Sequence, residues 1–413
     1  MSILIKNIGG LVNCRTEYHL LRGKELSSLP TLSNAYLIIN DGIIEEYGEM
    51  SSFQKKEIDF KHVHDASGKF ILPTWCDSHT HIVNAGTREN EFIDKINGLT
   101  YTDIAEKGGG ILNSANKLQN ASEDQLFLDA WNRIEELKKL GTGAIEIKSG
   151  YGLTVESELK MLRVIKKLKE KSSISIKSTF LGAHAFPSAY KENHEAYISL
   201  IINEMLPVIA KDKLADYIDV FCEQGFFSPN EMELICQEGM KYGLKPKLHI
   251  NQLSSIGGIQ TAINLNALSV DHLETMTETD INDLSNSNTI GTLLPTAAFF
   301  LRMPYQPARK LIEAGCAISL ASDFNPGSSP SGNMNFVITL SCIQMKMLPE
   351  EAINAATINA SYAMDLQDSL GSITVGKKAN FIFTKPIRSI SLLPYSFGSN
   401  LIDQVMINGE FIN

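Results

Sequence analysis

Basic charge is in short supply in this chain. Lys and Arg number 37 against 47 Asp and Glu, which leaves a formal net charge of −10 and a pI near 5.5. No Lys/Arg block is dense enough to track a phosphate backbone, so nucleic acid is not an expected partner. The densest basic run, Lys166, Lys167, Lys169 and Lys171, alternates with apolar residues and reads as the solvated face of a helix. Paired cysteines are lacking as well: Cys14, Cys76, Cys222, Cys236, Cys316 and Cys342 show no CxxC or other paired spacing, the usage expected of buried thiols in a reducing cytosol. The longest apolar stretch, Gly291 to Leu301, is too short for a membrane span and contains Pro295. The opening residues MSILIKNIGG lack the charged start, long apolar middle and small-residue cleavage site of a signal peptide. A cytoplasmic enzyme-sized chain with no membrane partner is the expectation.

At 413 residues the chain exceeds one typical domain, so two domains or one large barrel with an attachment are expected. Ile3 to Ile5, Ala35 to Ile39 and Ile43 to Tyr47 read as short strands, the last two joined through Asp41-Gly42, a type I′ hairpin signal. The C-terminus behaves alike: Ser372 to Val375 and Asn380 to Thr384 flank Gly376, and Val405 to Ile407 meets Phe411 across Asn408-Gly409. Two β pieces too short to stand alone suggest one composite β-sandwich built from both termini, with parts at 1–70 and 368–413.

Between them, in 71–367, apolar β-branched runs alternate with helical periodicity, the pattern of βα units around buried parallel strands. One helix carries Phe127, Trp131, Ile134 and Leu137 and stops at Gly141; another carries Val155, Leu159, Leu162 and Ile165. The strands are predicted at Phe70 to Ser78, Ala144 to Ser149, Ser175 to Ala183, Tyr217 to Glu223, Pro246 to Ile250, Ala267 to Asp271, Thr289 to Leu294 and Ala317 to Ser322. Eight such strands make an α/β fold of the TIM (β/α)8 barrel type, which puts its chemistry at the C-terminal strand ends.

Five of the nine histidines fall at those ends: His79 and His81 after the first strand, His184 after the third, His249 in the fifth and His272 after the sixth. Asp323 follows the eighth directly. In Asp77-Ser-His79-Thr-His81 the two-residue period of an extended segment puts both imidazoles on one side, a spacing that suits two ligands of one metal. His249 and the carboxylate of Asp323 would complete an N/O set fitting one divalent ion, zinc or iron, with a position left for water. A lone histidine on an apolar run is ordinarily a satisfied core residue, but here that reading must hold at several strand ends at once. His19, His62, His64 and His194 lie in polar, loop-like settings and read as surface residues.

The first-strand HxH, the fifth- and sixth-strand histidines and the eighth-strand Asp resemble the amidohydrolase superfamily in its single-metal form. Binuclear members place a carboxylated Lys at the end of the fourth strand, where this chain has Phe221-Cys222-Glu223; Lys148, after the second strand, reads as structural. The flanking segments resemble the imidazolonepropionase family within it: Asn84-Ala-Gly-Thr-Arg88-Glu-Asn-Glu-Phe92, Gly108-Gly-Gly-Ile111, Ile147-Lys-Ser-Gly-Tyr151-Gly-Leu153, Thr179-Phe-Leu-Gly-Ala-His184-Ala, Val270-Asp-His272-Leu-Glu274 and Asp323-Phe-Asn325-Pro-Gly327. Two departures stand out: Asn251 where Asp is expected, and Gln252 where some relatives carry Glu, so no carboxylate base is assigned there.

The resemblance implies hydrolysis of 4-imidazolone-5-propanoate to N-formimidoyl-L-glutamate by a homodimer, with a water brought towards a pKa of about 7 by the ion. It makes His272 the group that orients the water or holds the oxyanion, and Asp323 the proton shuttle. Arg88 offers a bidentate fork to the propanoate tail unless it is a surface arginine. Tyr151 and His184 match family substrate contacts; the alternative for Tyr151 alone is a packing aromatic in a Gly-flanked turn. Gln252 can read the amide edge of the ring, and Asn325, Gly327 and Ser328 can offer donors to substrate and product. Two other readings share parts of this pattern. An aminohydrolase of the cytosine or guanine deaminase kind needs a carboxylate shuttle near the fifth-strand histidine, where Gln252 stands. A non-enzymatic barrel scaffold would be marked by lost ligands, and all are present.

Overall fold

The computed structural model describes residues 2–99, 103 and 109–412. Gly108 of the Gly108-Gly-Gly-Ile111 motif lies outside the described residues.

Eight parallel strands form the barrel: β1 (Trp75–Thr80), β2 (Thr142–Lys148), β3 (Ser175–Ala183), β4 (Tyr217–Cys222), β5 (Lys245–Ile250), β6 (Ser269–His272), β7 (Ile290–Leu293) and β8 (Ile318–Leu320), each beside its sequence neighbour. The circuit is completed above β8, where Asp323 N–H donates to His79 O at 3.0 Å and His81 N–H to Phe324 O at 2.9 Å. Outward side chains such as Ile145, Ile147, Ile218, Val220, Leu248 and Ile250 pack into one core with the surrounding helices. Inward positions of β2, β4, β5 and β6 carry Glu146, Lys148, Asp219, Lys247, His249 and Asp271, all buried. A TIM barrel interior is ordinarily filled by branched apolar residues, so this interior is chemically unusual. At the opposite end, Ala360 and Met364 close the barrel against Cys76 and Ala144.

Both helices read from the sequence form, over Glu123–Lys139 and Val155–Lys171. Ser122 and Thr154 accept from the backbone N–H groups of Gln125 and Ser157, which satisfies orphan donors of the first turns. The first helix stops where expected, with Gly141 in the left-handed region at φ +94°. The apolar stretch from Gly291 divides at Pro295 into β7 and a helix, Pro295–Leu301.

The termini form one mixed sheet. Strand Phe70–Pro73 lies between Ser2–Val12 on one side and Phe381–Thr384 on the other, so it joins the two ends of the chain. Alternate residues, among them Ile3, Ile5, Leu37, Ile39, Phe381 and Phe383, meet in a separate apolar core. Both Asn/Asp-Gly turns have positive φ at both central residues, 47° and 78° at Asp41-Gly42 and 50° and 80° at Asn408-Gly409, as type I′ turns require. The two turns also abut: a Cβ on Gly42 would lie 2.6 Å from Asn408 O.

Three local expectations are corrected. Phe70 to Ser78 is not one strand; the chain turns at Thr74 and passes from the terminal sheet into the barrel. Ser372 to Val375 forms no strand, only a bridge from Ile373 to Cys14, because the backbone turns back at once, with Lys377 N–H donating to Thr374 O at 3.1 Å. His62 and His64 lie in a strand, His62–Asp65, and His64 packs against Phe383 and Phe411. No helix among the described residues is long and apolar enough to cross a membrane.

Candidate active site

Imidazoles converge at the C-terminal mouth of the barrel. His79 Nε2 lies 3.3 Å from His81 Nε2 and 3.5 Å from Asp323 Oδ1, which is 3.6 Å from His81 Nε2. A tetrahedral ion with bonds of about 2.0–2.1 Å holds its ligand atoms roughly 3.3–3.4 Å apart, so these spacings fit one ion. His249 joins His79 and His81 in one group of ligand atoms within 4.8 Å of each other; His272 and Asp323 join His79 in another. These residues are at most 3% exposed. Burial holds the imidazoles of His79, His81 and His249 well below the usual histidine range, with Lys148 and the neighbouring rings adding to it. Neutral imidazoles are what a cation needs from its ligands.

Carboxylates behind the rings fix their orientation. Asp271 Oδ2 lies 2.7 Å from His79 Nδ1, and Asp219 Oδ2 lies 2.8 Å from His249 Nδ1. Glu274 Oε1 stands 3.5 Å from His272 Nδ1 and accepts from Gln306 Nε2 at 2.9 Å. Burial alone would lower the pKa of His272, but the Glu274 carboxylate, with Asp323 and Asp271 behind it, raises it above the usual value. Burial pushes the Asp323 carboxyl up to about 6, against the donation it receives from Ser328 Oγ at 3.0 Å. His272 and Asp323 both hold positive φ, 91° and 52°, the kind of backbone strain that persists where the surroundings over-determine it.

Above these groups opens a cavity of about 400 Å³ lined by His81, Arg88, Tyr151, His184, His249, Gln252, His272, Asp323, Asn325, Gly327 and Ser328. The structure thus gathers every residue singled out in the sequence, with His79 beside them. Arg88 donates from Nε to Ser114 Oγ at 2.8 Å, while among the described residues its Nη2 is buried without a partner. The guanidinium rests on Gly327: a Cβ there would come within 2.3 Å of Nη1, so a side chain at 327 would push the guanidinium aside. Tyr151 rides on a loop anchored by buried Glu158, which accepts from the N–H groups of Gly150, Gly152 and Leu153. His184 stacks at 5.7 Å on His81 and donates through Nδ1–H to Gly150 O at 2.9 Å, and burial drives its pKa down to about 4. Gln252 sits on a loop held by Glu223, which accepts from Leu253 N–H and pairs with Ser254 Oγ. Asn325 turns its amide onto its own loop, bonding Asp323 O, Ser328 Oγ and the N–H groups of Gly327 and Ser328.

The Asn251 departure has a local cause. Its φ of +59° suits Asn, and its Nδ2 donates to Asp280 Oδ2 at 3.2 Å, where a second carboxylate would repel. Sequence reasoning missed Glu91, Lys95 and Phe226 in the lining, and Asp219, Asp271 and Glu274 behind the rings. The first two of those carboxylates left a signal: an Asp inside an apolar strand run, as in Tyr-Ile-Asp219-Val-Phe, must be buried and paired.

A model of the amidohydrolase family matches residues 70–412. The imidazolonepropionase of Flavobacterium johnsoniae is 59% identical over 413 residues, all of both chains. That of Christiangramia forsetii is 54% identical over 414 residues, again the whole of both. Among solved structures, an adenosine deaminase from Xanthomonas campestris superimposes with a TM-score of 0.72 at 15% identity, over 99% of this chain and 92% of that one, a likeness of fold. A barrel that gathers His79, His81, His249, His272 and Asp323 at its strand ends beneath a cavity, and whose sequence follows these relatives from end to end, places the chain in the amidohydrolase family and, within it, among the imidazolonepropionases.

Proposed function

We propose that the protein hydrolyses the ring amide of 4-imidazolone-5-propanoate to give N-formimidoyl-L-glutamate. The observation that carries this reading is the agreement of end-to-end identity with a buried Arg88 Nη2 at the cavity wall that has no partner among the described residues. A carboxylate tail is the natural partner of that donor. His79, His81, His249 and Asp323 would offer one zinc or iron ion three imidazoles and a carboxylate, and the spacings among His79, His81 and Asp323 suit it. Such an ion, when bound, supplies Lewis acidity that activates water and polarises a carbonyl.

The chain's own residues do the rest. Arg88, resting on Gly327 and facing Tyr151 at 5.8 Å, holds the propanoate and fixes which ring atom enters the mouth of the barrel. Gln252 and His184 read the ring edge, and Ser328 closes the cavity beside Asp323. Asp323 takes a proton from the attacking water and returns it to the leaving ring nitrogen. His272, set beside Glu274, donates to the oxygen that becomes negative as the carbonyl is attacked. The C–N bond then breaks, and the ring carbonyl carbon becomes a second carboxylate. Incubation of purified protein with imidazolonepropanoate, monitored by loss of the ring chromophore, tests substrate and reaction together. An unchanged spectrum with metal-replete protein would refute the reading. Elemental analysis decides the ion and its count, and sedimentation tests the homodimer. Six unpaired cysteines accord with a cytoplasmic location.

A further inference from the structure

Beneath the histidines lies a layer of charge that no step above uses. Lys148 Nζ sits 2.8 Å from Glu146 Oε1, 2.8 Å from Asp219 Oδ2 and 3.4 Å from Asp271 Oδ2. Lys247 Nζ sits 3.1 Å from Glu146 Oε2 and donates to Ser269 Oγ and Ala363 O. None of the five charged side chains is exposed. Two ammonium groups therefore face three carboxylates in a volume that apolar residues could fill. Stability alone does not explain such a layer, since well-packed apolar substitutes for buried ion networks are often neutral or stabilising.

The layer does have one directed output. Asp219 receives the N–H of His249 at 3.0 Å on Oδ1 and faces His249 Nδ1 with Oδ2. Asp271 receives Ser269 Oγ at 2.6 Å on Oδ1 and faces His79 Nδ1 with Oδ2. A carboxylate has no proton to give, so each Nδ1 must carry the hydrogen and each Nε2 must present a lone pair. Lys148 touches both of these oxygens.

We propose that Lys148 is a positioning residue for the metal centre. Its ammonium ties Asp219 and Asp271 into one unit, and so locks His79 and His249 as Nδ1–H tautomers with Nε2 aimed at a common point before any ion arrives. The uncompensated carboxylate charge of the layer lies below that point, where it favours a divalent cation. This inference rests on the metal reading of the site. It adds that the apoprotein is already set for the ion, by a residue that never touches it.

Two-bond 1H–15N spectra of 15N-histidine-labelled, chelator-treated wild type provide the test, with His79→Asn and His249→Asn spectra for assignment. Both rings are expected as single Nδ1–H tautomers, with strongly downfield protons, unchanged on adding zinc. Lys148→Met should show mixed tautomers and bind zinc about 10–100-fold more weakly, the usual scale for removing support behind a ligand, measured by competition with a chromophoric chelator. Lys148→Gln, which keeps a donor towards Asp219, should recover part of the loss. Mixed tautomers in zinc-free wild type that resolve only on metal addition overturn the proposal, and so does a folded Lys148→Met that holds zinc as tightly as wild type. If Lys148→Met fails to fold, Lys148→Gln decides: partly mixed tautomers with weakened zinc binding support the proposal, and wild-type tautomers with wild-type affinity overturn it. Wild type that takes up neither zinc nor iron overturns the metal reading itself, an outcome distinct from a tautomer failure.

Discussion

The two β units of the molecule bury opposite chemistries. Inward positions of the terminal sheet carry Ile3, Ile5, Leu37, Ile39, Phe381 and Phe383, while inward positions of the barrel carry Glu146, Lys148, Asp219, Lys247 and Asp271. Apolar area contributes stability at roughly 25 cal/mol per Å², whatever its arrangement. Charge contributes only where partners and geometry are right, and leaves a large penalty where one partner is lost. The terminal sheet is accordingly a stabilising body, and the barrel interior is an instrument for holding imidazoles.

The largest effect should come from Asp323→Ala, which removes a quarter of the proposed ligands: most bound metal and nearly all activity should go, and full metal occupancy by elemental analysis would remove Asp323 from the set. Next is Phe381→Ala, expected to cost about 3–5 kcal/mol of folding stability through the cavity it leaves. Its kcat should be unchanged, so a lowered kcat in still-folded protein would show that the two units are not independent. Arg88→Ala should then lower kcat/KM by about 2–4 kcal/mol, with Arg88→Lys recovering part. An analogue lacking the propanoate should lose little more in the mutant than in wild type; equal slowing of both compounds would mean that Arg88 does not read the tail. His272→Asn should keep its metal while kcat falls roughly 10²-fold, and a metal-replete, fully active variant would make His272 structural.

The smallest effect belongs to the terminal sheet's surface. Ser67 and Asn7 hold the exposed Asp65 carboxyl down at about 2. A folded-state pKa below the unfolded value contributes stability above the unfolded pKa of about 3.9 and loses it as pH falls towards about 2. Asp65→Asn should therefore lower Tm by only about a degree at neutral pH, given solvent screening, and the gap from wild type should close below about pH 4. A gap that widens in acid would reverse the assignment.

The sequence was most legible where side-chain period and strand ends coincide. His79, His81, His249, His272 and Asp323 could be placed because barrel topology dictates where strand ends meet, and Arg88 because it closely follows the first. Asp219 and Asp271 were hidden by the same topology: they lie inside strands, and which ring each supports depends on stagger between neighbours, such as Ile250 against His272. Phe70 to Ser78 misled because both sheets use one apolar pattern, and only the turn at Thr74 separates them. Lys148 looked structural because a single lysine carries no sign of three carboxylates drawn from three strands.

Strand Phe70–Pro73, with the chain's beginning on one edge and its end on the other, has a consequence for synthesis. Its C-terminal neighbour, Phe381–Thr384, leaves the ribosome roughly 300 residues later, which at about 5–20 residues per second is a delay of some 15–60 s. Through that interval the nascent chain holds an open edge of consecutive apolar residues, Phe70 to Pro73, and a cell making this protein must keep that edge from neighbouring chains until the later strand arrives.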